Sequence, residues 1–152
     1  MSETVMATAL ATALRRAPVV MVLGAEGSGK TALAASQSAR DSPFLSGRDP
    51  EVMERLRDHA TAYNALEPLR GLVMIDDVDA MPHLGAALRP LVDRDPGWKP
   101  RTAPFLLTAR PCAGADTIAG ALVGRVEVVE VEGAVRTGTR HGVGDAPGSG
   151  LD

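Results

Sequence analysis

Between Leu23 and Ala32 the chain reads Gly24-Ala25-Glu26-Gly27-Ser28-Gly29-Lys30-Thr31. This fills every fixed position of the pattern G-x-x-x-x-G-K-[ST]. Glycines let a backbone bend around an anion without Cβ collisions. Successive N–H groups then point inward and form an anion nest. A helix opening near Lys30 adds the positive end of its dipole. Lys30 can reach the outer phosphates of a nucleotide, and the Thr31 hydroxyl can face Mg²⁺. The bland reading is a glycine turn with an incidental lysine. It sits badly with a chain that holds lysine only at Lys30 and Lys99.

A second cluster is acidic. Leu72-Val73-Met74-Ile75 runs directly into Asp76-Asp77. A carboxylate at a strand end can hold a Mg²⁺-bound water, and its neighbour can orient or deprotonate a water attacking the γ-phosphate. This assigns Asp76 to the metal and Asp77 to the water; the structural alternative for Asp77 and Asp79 is a helix cap. A third segment, Leu106-Leu107-Thr108-Ala109-Arg110, ends a strand on a hydroxyl. Thr108 there is placed to meet the attacking water or the γ-phosphate, although threonine is also an ordinary strand residue. Arg110 suits phosphate, DNA, a neighbouring subunit or plain solvent. Arg125 can project to a neighbouring subunit and neutralise transition-state charge, or simply be solvated at a helix end. His59, His83 and His141 show no ligand spacing, and Trp98 reads as a loop anchor or a contact residue.

The elements that must position these groups follow from hydrophobic patterning. Residues 1–17 show Val5, Met6, Ala9, Leu10, Ala13 and Leu14 at helical spacing, closed by Ala17-Pro18. Val19–Leu23 and Leu72–Ile75 are unbroken apolar runs of strand length, the mark of strands buried on both faces, and Phe105–Thr108 reads as a third strand. Val126–Val131 reads as a last strand, with Glu127 and Glu130 outward or at an edge. Helices are expected over about 30–39, 82–92 and 116–123. A further one starts at Asp49-Pro50-Glu51, where cap, proline and acid coincide, and runs to Glu67. Its inward face would be Val52, Met53, Leu56, Ala60 and Tyr63. The interval from Lys30 to Asp76 leaves room for one more strand–helix unit, with a short strand at Phe44-Leu45. Residues 93–104 read as an exposed loop and 133–152 as a glycine-rich disordered tail or linker. The domain division is therefore an N-terminal helix (1–17), a core (18–132) and a tail. Strands alternating with helices give an α/β fold with a mostly parallel sheet. Ligands in such sheets sit beyond the carboxyl ends of the strands, where all three motifs fall.

Composition narrows the function classes. The chain has 152 residues, 45% of them hydrophobic and 23% charged, which suits one globular domain. A formal net charge of −3 offers no general field for nucleic acid. Aromatics are confined to Phe44, Tyr63, Trp98 and Phe105, too few for a base-stacking platform. Nucleic acid is therefore expected only as an indirect partner. The single Cys112 excludes an internal disulfide and a cysteine zinc site, and suits a reducing compartment. The first residues place acid before arginine, opposite to a secretory signal. No apolar run is long enough to span a bilayer. The expectation is a cytoplasmic protein away from membranes.

Taken in order, Gly24–Thr31, Leu72–Asp77, Leu106–Arg110 and Arg125 resemble the Walker A, Walker B, sensor 1 and arginine-finger elements of AAA+ ATPases. Met74-Ile75-Asp76-Asp77-Val78-Asp79-Ala80 with Leu106–Arg110 is most similar to the DnaA/Hda-type branch. The resemblance covers about residues 18–131. It implies a P-loop NTPase three-layer sandwich with a five-stranded parallel sheet ordered 5-1-4-3-2, ATP and Mg²⁺ at its carboxyl edge, and assembly with protein partners or with further copies. Asp77 stands where most of these enzymes carry glutamate, which suits slow, switch-like turnover. A helical lid domain and a helix-turn-helix DNA-binding domain have no counterpart in the sequence, as in a fragment or a protein completed by a partner. The expected function is a slowly hydrolysing Mg-ATP switch. The alternatives are a STAND-type signalling NTPase module, a small P-loop kinase, and a nucleotide-binding interaction domain that never hydrolyses.

Overall fold

The computed structural model describes residues 3–38, 42–93 and 104–131. The expected loop around Trp98 and the expected tail fall outside these residues. The elements are α1 (Glu3–Arg16), β1 (Val19–Leu23), α2 (Lys30–Ala35), β2 (Phe44–Ser46), α3 (Pro50–Arg55), α4 (His59–Leu66), β3 (Val73–Asp76), a 3-10 turn (Val78–Ala80), α5 (Leu84–Asp93), β4 (Phe105–Ala109), α6 (Ala113–Ala121) and β5 (Val126–Glu130).

The strands form one five-stranded sheet in the order β2-β3-β4-β1-β5. Every pairing is parallel, with Met21 opposite Leu107 and Val128, and Ile75 opposite Leu107 and Leu45. Read from the other edge, this is the expected order. Two apolar clusters cover the two faces. On one, Leu10, Ala13 and Leu14 of α1 pack with Val20, Val22, Met74 and Leu106. On the other, α4, α5 and α6 bring Leu66, Leu84, Leu88 and Ile118 onto Met21, Ile75 and Leu107. The strands are apolar on both sides because both sides are covered. The N-terminal helix is thus a layer of the core, and Arg16 at its end pairs with Glu127 on the edge strand β5. Among the described residues no helix is long and apolar enough to cross a membrane.

Some helix bounds differ from the sequence reading. α2 stops at Ala35 and is only six residues long. α6 starts at Ala113, three residues earlier than expected. The segment 49–67 is two helices. Asp58 is extended (φ −146°, ψ 176°) and its side chain accepts from the Thr61 amide, which opens a new helix. The restart changes the helical phase. Val52, Leu56, Ala62 and Leu66 are buried, whereas Ala60, expected inward, is exposed.

Two histidines repair the backbone where helices are interrupted. α3 is capped at its end by Leu56, whose carbonyl takes the His83 Nε2 at 2.6 Å. Pro90 lies inside α5 and has no N–H, so the Ala86 carbonyl loses its helical donor. His59 Nε2 lies 3.0 Å from that carbonyl. A carbonyl only accepts, so each of these ring nitrogens carries its proton.

His59→Ala is expected to lower the unfolding free energy by about 0.5–1.5 kcal/mol, the net value of one hydrogen bond. In a Pro90→Ala background the amide regained at position 90 can serve the Ala86 carbonyl, and the cost of His59→Ala should shrink toward zero. Urea unfolding of the four proteins in this double-mutant cycle measures the coupling; strictly additive effects would refute the pairing.

Candidate functional site

Crossover helices leave the sheet on opposite faces around β1 and β4, which opens a crevice at their carboxyl ends. The 24–29 loop fills it. The Gly24 amide donates to the Ala109 carbonyl at 3.1 Å, so the loop starts tied to β4. Gly27 and Gly29 take positive φ angles of 77° and 90°, which turn the backbone around and into α2. Lys30 is 5% exposed, and among the described residues no acid closes an ion pair with it. Beside the loop lies an open cleft of about 360 Å³ lined by Glu26, Gly27, Gly29, Lys30, Thr31, Ser46, Arg48, Asp76 and Asp77. Of the eight loop positions singled out by sequence, Gly24, Ala25 and Ser28 do not line it. The Ser28 hydroxyl is folded back over Gly24, where a Cβ would stand 2.3 Å from it, and it has no hydrogen-bond partner.

Asp76 and Asp77 end β3 and do different things. Asp76 is 6% exposed; its Oδ1 accepts from the Thr31 hydroxyl at 2.9 Å and from the Thr108 hydroxyl at 2.6 Å. Asp77 occupies the left-handed region (φ 57°, ψ 60°), and its side chain makes no capping bond to the following 3-10 turn. The carboxylate instead enters the cleft, and the capping alternative is not what this aspartate does. Burial pushes the Asp77 carboxyl above the ordinary range, and the charge of Asp76 adds to this, while Arg48 and Lys30 oppose it. Asp79 plays a separate structural part. It accepts from the Arg110 amide at 3.1 Å and from Arg110 Nε at 2.6 Å, locking the 3-10 turn to the end of β4.

Arg48 is the residue that the sequence reading missed. Its Nε lies 2.9 Å from Asp77 Oδ2, and its terminal nitrogen lies 3.1 Å from both Glu26 carboxylate oxygens. It bridges the cleft mouth from the glycine-loop side to the β3 side. Gly47 makes this reach feasible. Its amide donates to the Asp76 carbonyl at 2.7 Å, and a Cβ there would stand 2.1 Å from the Asp77 carbonyl oxygen. The signal was present: a short strand expected at Phe44-Leu45 delivers whatever follows it to the carboxyl edge. Arg48 fell between that strand and the strong helix start at Asp49.

Arg125 is not brought to the cleft of its own chain. Its carbonyl accepts from the Val19 amide, at the amino end of β1. The loop begins at the other end, about 13 Å away at the rise of a strand. The Arg125 guanidinium lies 2.7 Å from Asp93 and holds that carboxyl below its ordinary range through this hydrogen bond.

The oxygen donors around the cleft suit a hard cation shared with a ligand. Among the described residues no group of three or more His, Cys, Asp or Glu side chains forms a metal cage. Mg²⁺ does not need one; it commonly takes one or two carboxylates and completes its shell with water and phosphate oxygens. Thr31 and Asp76 fit that pattern.

The fold and cleft define an α/β protein with an all-parallel five-stranded sheet and a glycine-loop crevice at its carboxyl edge. No family model matches the chain. It is 37% identical over 130 residues to uncharacterized proteins of Mycobacterium tuberculosis and Mycobacterium bovis. The match takes in 84% of this chain and 28% of theirs, so the chain spans little more than a quarter of the curated relatives it matches.

The raised Asp77 carboxyl gives a stability test. An acid whose folded pKa lies above its unfolded value stabilises fully below the unfolded pKa, and this stability is lost as pH rises through the folded pKa. Asp77→Asn, which tolerates the left-handed backbone equally well, is expected to raise Tm at pH 7. The gain should fade as pH drops toward the ordinary carboxylate pKa of about 3.9. Thermal melts across this range measure it; a variant less stable than wild type at pH 7 would show that the Arg48 pairing outweighs burial.

Proposed function

We propose that this chain is a Mg-nucleotide-binding module of the P-loop type, resembling the AAA+ ATPases, that binds ATP, hydrolyses it slowly and acts through a protein partner. The observation that carries this reading is the convergence on one cleft of the glycine loop, Lys30, Thr31, Asp76 and Asp77. Loop amides and the Lys30 ammonium would hold the outer phosphates. Because α2 is only six residues long, its dipole adds little and the amides with Lys30 do most of the holding. A bound Mg²⁺, held by Thr31 and Asp76 through oxygen, would supply charge neutralisation on the phosphates. Asp77 would orient a water toward the γ-phosphorus and accept its proton as the β,γ P–O bond breaks and ADP leaves. A carboxyl pushed above its ordinary range is a better base than a solvated one, provided that it is ionised.

Slow turnover is supported by Arg48. A carboxylate bonded to a guanidinium at 2.9 Å has one oxygen already engaged, so water must compete for it. The same bond favours a second reading, a binding domain that exchanges nucleotides and never hydrolyses them. Arg125, remote from its own cleft, can serve only the cleft of a neighbouring copy or partner. The single cysteine supports a reducing, cytoplasmic setting.

The decisive experiment titrates the protein with a fluorescent ATP analogue in Mg²⁺, alongside Lys30→Ala. Saturable binding should weaken by roughly 10- to 100-fold in the variant, since a hydrogen bond to a charged group contributes about 1.5–3 kcal/mol. No binding by well-folded wild type would sink the proposal. Asp77→Asn is expected to keep nucleotide affinity and lose phosphate release in a turnover assay. Unchanged release would remove Asp77 as the water-activating residue, and no release by wild type would select the non-hydrolysing reading.

A further inference from the structure

Thr108 reads, by sequence order, as a group that touches the attacking water or the γ-phosphate. Its surroundings leave it no means of doing so. The residue is 0% exposed and does not line the cleft. A threonine hydroxyl has one proton and two lone pairs. The proton goes to Asp76 Oδ1 at 2.6 Å. One lone pair takes the Asp77 amide at 2.8 Å. A phosphate oxygen needs a donor, and the single donor is spent; a water needs access, and there is none.

The bond to the Asp77 amide matters more. The parallel ladder between β3 and β4 runs through Val73, Met74 and Ile75, paired with Phe105, Leu106 and Leu107. Asp76 still pairs with Ser46 of β2 but no longer with β4; after it the chain turns out of the strand, and the Thr108 hydroxyl receives the Asp77 amide, which the β3–β4 ladder does not serve. On the other side the Gly47 amide grips the Asp76 carbonyl at 2.7 Å. The Asp76-Asp77 peptide is therefore pinned from both neighbouring strands. Asp77 is the one non-glycine residue with positive φ among the described residues. Such a backbone persists only where its surroundings hold it.

We infer that Thr108 is a positioning residue, which fixes Asp77 in its left-handed conformation so that the carboxylate enters the cleft, and which does not touch the nucleotide. This deepens the nucleotide-hydrolase reading and rests on it for what Asp77 does. The pinning itself is independent of that reading.

Two arms separate the inference from the reading. The first uses no nucleotide: amide hydrogen exchange of the full chain for wild type, Thr108→Ser and Thr108→Val, with Thr108→Ala replacing the valine variant if that does not fold. Protection of the Asp77 amide should survive in Thr108→Ser and fall tenfold or more in Thr108→Val, while Leu106 and Leu107 stay protected. Unchanged protection of Asp77 in the valine variant overturns the inference whether or not the chain binds ATP. The second arm compares ATP and ADP affinities and turnover. A positioning role predicts that Thr108→Val lowers kcat, keeps the ATP-to-ADP affinity ratio within about twofold of wild type, and is rescued by serine. A selective tenfold loss of ATP affinity would show a direct γ-phosphate contact and overturn it.

Discussion

The Asp76 carboxylate, almost out of water, is the point on which the cleft depends. Burying such a group is costly unless hydrogen bonds replace the water it gives up. Here two threonine hydroxyls do so, one from the start of α2 and one from β4. Its own carbonyl is taken by Gly47 at the end of β2. One residue of β3 thereby ties together the segments that follow β1 and β2 and the carboxyl end of β4. The start of α2 after the glycine loop, the turn carrying Arg48 and the backbone leading into Asp77 are all held by these ties. Loss of either hydroxyl would leave the carboxylate under-satisfied and untie the segment that carries it.

Much of this is legible in the sequence, for a physical reason. A strand buried on both faces must be largely apolar, so β1 and the first three residues of β3 and of β4 stand out as apolar runs. The residues that follow them are then known to lie at one edge of the sheet. That places Lys30, Thr31, Asp76, Asp77 and Thr108 together before any coordinates. What is not legible depends on single side chains acting on the backbone. Asp58 breaks what reads as one helix into two, because a cap can restart a helix without a glycine or proline to mark the place. The histidines at 59 and 83 look featureless in sequence because their partners are carbonyls, which every residue has.

Side-chain destinations are less legible than side-chain neighbourhoods. By sequence Arg110 and Arg125 both suit phosphate or a partner, and each lies against an aspartate of its own chain. Arg48, which no motif marks, stands in the cleft. A sequence can place an arginine at an edge of a sheet; which carboxylate it reaches is settled by long, flexible side chains whose exposed pairings each contribute little. Thr108 illustrates the opposite case. A buried hydroxyl with one proton has so few options that its partners fix what it can do.

The charges of the cleft explain why its parts belong together. Glu26, Asp76 and Asp77 face Lys30 and Arg48, so three acids stand against two cations around about 360 Å³. An incoming polyphosphate adds more negative charge to a space that is already net acidic. Under the nucleotide reading it can settle only if it brings a cation of its own, for which Thr31 and the aspartates supply oxygen. Of the two cations that line the cleft, Arg48 is the largely exposed one, 62% of its side chain being open to solvent, and it is therefore able to change partners at small cost. As long as it bridges Glu26 and Asp77, its single charge is shared between two of the three acids and one Asp77 oxygen is engaged. Under the same nucleotide reading, a phosphate that drew Arg48 away would release the Asp77 oxygen it holds, while the backbone beneath stays bonded to Thr108 and Gly47.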